Sequence, residues 1–110
     1  MKIKFLFLLI LSLSFFQSLY AEESNVDCLI LEDENSIICK YSVLRVDYEK
    51  NILIQWIEPD QRVTREREMT IPANHGSVYD YRYVEGRTPG IWTFKVIDEN
   101  KEYTTNFTIE

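Results

Sequence analysis

The chain has 110 residues, a formal net charge of −6, 45% hydrophobic and 27% charged residues, two cysteines and one histidine. That length bounds it to one domain, and the ordinary apolar share excludes wholesale disorder. The acidity excludes a protein that tracks nucleic-acid phosphates, and one His with two Cys leaves little from which to build a zinc site.

The N-terminus reads as a secretory signal peptide over residues 1–21. Lys2 and Lys4 form a positive start, residues 5–16 are apolar apart from Ser12 and Ser14, and Gln17-Ser18 leads to Leu19-Tyr20-Ala21 ahead of Glu22-Glu23. Cleavage is expected after Ala21. An apolar run this short does not suit a membrane anchor, which needs about 20 residues. Removing 21 residues from 110 leaves 89, with 10 basic and 18 acidic side chains because Lys2 and Lys4 depart, a net of −8. The expectation is a periplasmic or secreted protein without stable membrane insertion, and a domain over residues 22–110 small enough for a disulfide to matter.

Within 22–110 no helical period is sustained, whereas period-two alternation recurs between turn residues. Strands are expected at 28–31 and 36–44 around the turn Glu32-Asp33-Glu34-Asn35, and at 52–57, closed by Pro59-Asp60. A fourth, 63–71, carries Arg65 and Arg67 on one face and Thr64, Glu66 and Glu68 on the other. Charge on both faces marks an edge strand. After the loop Asn74-His75-Gly76 come strands at 78–84, 91–97 and 103–109, the last two flanking Asp98-Glu99-Asn100-Lys101. In that hairpin Trp92, Phe94 and Val96 share one face, as do Tyr103, Thr105, Phe107 and Ile109. Seven short strands predict an all-β, two-layer sandwich.

Cys39, then Trp56 seventeen residues on, then Gly90-Ile91-Trp92-Thr93-Phe94 resemble strands B, C and F of an immunoglobulin-like domain. In that family a strand-B Cys bonds a strand-F Cys across a strand-C Trp. Here Phe94 occupies the strand-F position, so that inter-sheet bond cannot form. Trp56 with Pro59-Asp60, Pro89-Gly90-Ile91-Trp92 and Phe107-Thr108-Ile109 also resembles small β-sandwich modules of bacterial secreted proteins. The resemblance implies a single small immunoglobulin-like sandwich and brings no catalytic residues. The Asn-Pro-Thr-Thr-Gly-Tyr loop of chagasin-type protease inhibitors is absent from the sequence.

Centring the first turn on Asp33-Glu34 sets Cys28 opposite Cys39, and in an exported protein such a pair is expected to be bonded. The bond would contribute about 2–3 kcal/mol.

Tyr79, Tyr81 and Tyr83 share one face of their strand, with Asp80 and Arg82 on the other. The rings either pack in the core or form a surface strip for a partner or glycan. Arg62, Arg65 and Arg67 either compensate Glu66 and Glu68 on a solvated edge, or recognise carboxylate or phosphate through guanidinium forks. An edge strand can also accept a strand from another protein. His75 has no companion nucleophile motif. Glu32, Asp33 and Glu34 lie in a turn without calcium-loop spacing, and three glycines supply no phosphate loop.

The functional expectation is therefore a non-enzymatic binding or scaffolding module of the cell envelope. It would need no cofactor or metal and would contact a protein partner through Tyr79, Tyr81 and Tyr83 or through Arg65 and Arg67. The alternative is a small secreted inhibitor or accessory subunit of an envelope enzyme, acting through a loop such as 73–77.

Overall fold

A computed structural model describes residues 24–110. The signal peptide expected at 1–21 lies outside the described residues. Among the described residues seven strands run in chain order: β1 (Asn25–Leu31), β2 (Ser36–Ser42), β3 (Lys50–Ile57), β4 (Val63–Ile71), β5 (Ser77–Tyr83), β6 (Gly90–Asp98) and β7 (Lys101–Ile109). They form two antiparallel sheets, one ordered β1-β2-β5 and the other β4-β3-β6-β7. The all-β two-layer sandwich expected from alternation is what the chain adopts, and β4 is the edge strand its charges require.

Local chemistry accounts for the turns. Asn35 (φ 55°) and Glu99 (φ 58°) take the left-handed conformation that closes the β1–β2 and β6–β7 hairpins. Between β3 and β4, the Asp60 carboxylate accepts from the Arg62 backbone N–H at 3.0 Å, and Glu58 N–H donates to the Arg62 carbonyl at 2.9 Å. Gly90 cannot be replaced without movement. Its φ is 130°, and a Cβ there would stand 2.8 Å from Pro59 Cγ. Pro59 and Gly90, separate turn residues in the sequence, thus meet where β3 and β6 run side by side.

The interior alternates as period two demands. Ile37, Cys39 and Tyr41 of β2 face Ile52, Ile54 and Trp56 of β3 and Trp92, Phe94 and Val96 of β6, with Phe107 and Ile109 of β7. Trp56 meets Phe94 edge-on at 5.3 Å and Phe107 at 5.8 Å, while Trp92 stacks on Phe107 at 6.1 Å. Phe94 therefore fills the space beside Trp56. Cys39 bonds instead to Cys28, its register partner on the neighbouring strand, within one sheet.

The two open sides of the sandwich differ. On one side β1 lies against β7. On the other, β4 and β5 are the edges of opposite sheets, and charged side chains span the gap between them.

Candidate functional site

Strand β5 positions both features that distinguish this molecule. Its inward residues Asp80 and Arg82 are buried, at 5% and 8% exposure, whereas Tyr79, Tyr81 and Tyr83 are 62%, 55% and 60% exposed. The core-packing reading of the tyrosines is thus overturned: the charged face of the strand points inward and the aromatic face outward. An edge position makes this possible, because an inward side chain on β5 can reach a partner at the rim of β4 without crossing the apolar core.

On the outer face the antiparallel register aligns rows across the sheet. Leu29, Ile38 and Tyr81 form one row, Asp27, Lys40 and Tyr79 the next, and Leu31, Ser36 and Tyr83 a third. Leu29 is also exposed, and the Tyr81 and Tyr83 rings meet edge-on at 6.1 Å. Glu34, Ser36, Ile38, Tyr81 and Tyr83 line a shallow hollow there. The result is an exposed aromatic and aliphatic surface with polar groups at its margin.

On the inner face Asp80 gathers donors from three residues. Its Oδ2 accepts from Trp56 Nε1 at 3.0 Å and from Arg65 Nη1 at 3.2 Å, and its Oδ1 accepts from Arg67 Nη1 at 2.6 Å. Arg65 and Arg67 sit on the inward face of β4, where Arg65 is paired in register with Trp56. Their carboxylate partner is Asp80, on the opposite sheet. The reading in which Glu66 and Glu68 compensate them is corrected, because those glutamates lie on the other face; Glu66 accepts from Gln55 Nε2 at 2.6 Å. Arg62, grouped with them by sequence, instead pairs with the buried Glu58, whose second oxygen accepts from Thr88 Oγ1 at 3.0 Å.

Arg82 has a different environment. Its guanidinium lies 5.4 Å from the centre of the Trp56 ring, and Nη1 donates to Thr64 Oγ1 at 3.1 Å. Its Nε is sealed from solvent with no partner. Burial, reinforced by repulsion from Arg87 and Arg65, pushes the group down to about 10, so it remains charged at neutral pH.

A third buried carboxylate, Asp98, ends β6. It accepts from the Tyr41 hydroxyl at 2.7 Å and from Lys50 Nζ at 2.8 Å. Burial, then the hydrogen bond to Asp98, raises the Tyr41 phenol, and the bond to Asp98 raises Lys50. This network ties β2 of one sheet to β3 and β6 of the other.

Among the described residues no group of three or more His, Cys, Asp or Glu side chains could hold a metal ion, and no helix is long and apolar enough to cross a membrane. His75 is exposed in the β4–β5 loop, where Asn74 is held by its N–H to the Val46 carbonyl. Sequence reasoning missed Asp80, Arg82, Arg87 and Glu58 as site-building residues. The signal for Asp80 was the facing pair Arg65 and Arg67, two like charges on one side of an edge strand that must find an acid. No protein-family model matches the chain, and no curated protein matches it.

Proposed function

We propose that this chain is an exported, non-catalytic binding module of immunoglobulin-like architecture, and that its contact surface is the outer face of β1-β2-β5, centred on Tyr79, Tyr81 and Tyr83. The observation that carries this reading is the exposure of all three rings on one sheet face beside Leu29 and Ile38. Large apolar side chains grouped on a surface mark interaction sites, and tyrosine gives wide contact area at small entropic cost. The architecture is supported by Cys39, Trp56 and Phe94 lying inward on β2, β3 and β6, the positions that resemble strands B, C and F. Export is supported by the Cys28–Cys39 bond, which persists in oxidising compartments. The partner is a protein of the cell envelope, and Arg65 and Arg67 flank the contact.

The test is photo-crosslinking in the native host from positions 79, 81 and 83, followed by recovery through a C-terminal tag and mass spectrometry. One stoichiometric envelope protein, lost when the other two tyrosines become serine, is the expected result. Recovery of the chain alone, or of a partner indifferent to those substitutions, overturns the reading.

A further inference from the structure

Four arginines line one cleft of about 300 Å³ at the open β4–β5 side: Arg65 and Arg67 from β4, Arg82 from β5, and Arg87 from the connection that follows. Tyr81 and Tyr83 complete its wall, and Asp80 is the one acid lining it. Asp80 is already saturated by Trp56, Arg65 and Arg67. Neither Arg82 nor Arg87 meets a carboxylate within ion-pair distance among the described residues. Arg82 donates to the Thr64 hydroxyl, and Arg87 Nε donates to the Tyr83 carbonyl at 3.1 Å. The cleft thus sets four positive charges against one negative, in a protein whose overall charge is negative. A buried guanidinium with only neutral partners costs the fold a desolvation penalty that a bound anion would offset.

We propose that this cleft is a binding site for a single tetrahedral dianion, the phosphate group of a small soluble phosphate monoester. The donors approach from two strands and a loop, so they suit a group whose oxygens point in several directions. A planar carboxylate is satisfied by one guanidinium fork. Two negative charges also match the two arginines that lack an acid. The ligand is small because an acidic chain repels a polyanion or an anionic bilayer as a whole, while screening over about 8 Å at physiological salt lets one group respond to the local arginines. Tyr81 and Tyr83 at the wall favour an aryl or sugar substituent on the ester. This inference does not depend on the outer-face reading and fails or stands by itself.

The experiment is a titration of the isotopically labelled full chain, recovered from an oxidising compartment, with inorganic phosphate at pH 7.5 and fixed low ionic strength, followed by NMR. Saturable shifts confined to Arg65, Arg67, Arg82, Arg87 and the neighbouring Tyr81 and Tyr83 are expected, with phenyl phosphate binding more tightly. Arg87→Gln should weaken binding at least tenfold and leave the phosphate-free melting temperature unchanged. It is the deciding variant because Arg87 is only half-buried, whereas the buried Arg82 also packs on Trp56. Sulfate saturating the same residues supports the site as one for tetrahedral dianions. Vesicles containing phosphatidic acid should not compete; competition that Arg87→Gln abolishes would overturn the soluble source and assign a lipid headgroup. Absence of saturation, equal binding of acetate, or wild-type affinity in Arg87→Gln overturns the site itself.

Discussion

Strands β5 and β6 enter the same interior with the same alternation and opposite polarity. Strand β6 turns Trp92, Phe94 and Val96 inward and leaves Thr93 and Lys95 only partly buried, whereas β5 turns Asp80 and Arg82 inward and exposes three tyrosines. The difference follows from position in the sheet. Strand β6 lies between β3 and β7, so an inward charge at its middle would have no route to a counter-ion or to water. Strand β5 is an edge beside another edge, and the arginines of β4 lie within hydrogen-bond reach of Asp80. Even on β6 the exception proves consistent: Asp98 is tolerated at the strand's end, where Tyr41 and Lys50 reach it. A charged inner face is therefore compatible with a sandwich where two edges meet, and it leaves the opposite, aromatic face exposed.

The largest expected effect comes from removing the acid that holds the charged face together. Asp80→Ala leaves Arg65, Arg67 and Trp56 Nε1 without their acceptor and should cost about 3–5 kcal/mol in urea unfolding. Phe94→Ala, the equivalent injury to β6, should cost about the same through a cavity. Arg82→Met should differ from both, staying within about 1 kcal/mol of wild type, since it replaces a charge without an acid partner by an apolar chain of similar length. A cost for Arg82→Met as large as that of Asp80→Ala would mean the inner face of β5 is a closed structural network and would erase the contrast drawn between its two charges.

Next in size is the bond between β1 and β2. Replacing Cys28 and Cys39 together by Ala should lower stability by about 2–3 kcal/mol, because the closed loop spans 11 residues in sequence. Reduction of the wild-type protein should reproduce the loss.

The Asp98 network predicts an alkaline signature. Folded Tyr41 and Lys50 titrate above their unfolded values, so their contribution is fully present below pH 10 and is lost as pH rises through the raised values. Stability measured by denaturant should fall above pH 10, and Tyr41→Phe should flatten that fall while costing about 1–2 kcal/mol at neutral pH. An unchanged alkaline slope in Tyr41→Phe would remove Tyr41 from the account.

The smallest effect on stability belongs to the outer face of β5. Serine at positions 79, 81 and 83 should change stability by about 0.5 kcal/mol each.

The β6–β7 hairpin is legible in the sequence because each strand has one apolar and one polar face, so the inward side is unambiguous. The Cys28–Cys39 register was legible because a turn centred on Asp33-Glu34 opposes the two residues, and the register has that centre. The inward face of β5 was not, because alternation of Tyr with Asp80 and Arg82 survives a one-residue flip, and general hydrophobicity argues for the wrong side. What decides it is the pairing of Asp80 with Arg65 and Arg67, 15 and 13 residues away in sequence and on the other sheet. Glu66 and Glu68 adjoin those arginines in sequence yet face away from them. The acceptor for Arg62 was hidden for another reason: Glu58 stands beside Pro59-Asp60 with no pattern to mark it as buried, and its contact with Thr88 comes from 30 residues away in sequence.

The inversion of β5 is tested most directly by tyrosine-specific nitration of the folded protein, with sites read by mass spectrometry. Tyr79, Tyr81 and Tyr83 should be modified early, together with exposed Tyr48, while Tyr41, 1% exposed, reacts only after unfolding. Protection of all three β5 tyrosines in the folded monomer would place them in the core and contradict both the exposed aromatic face and the charged inner face of β5.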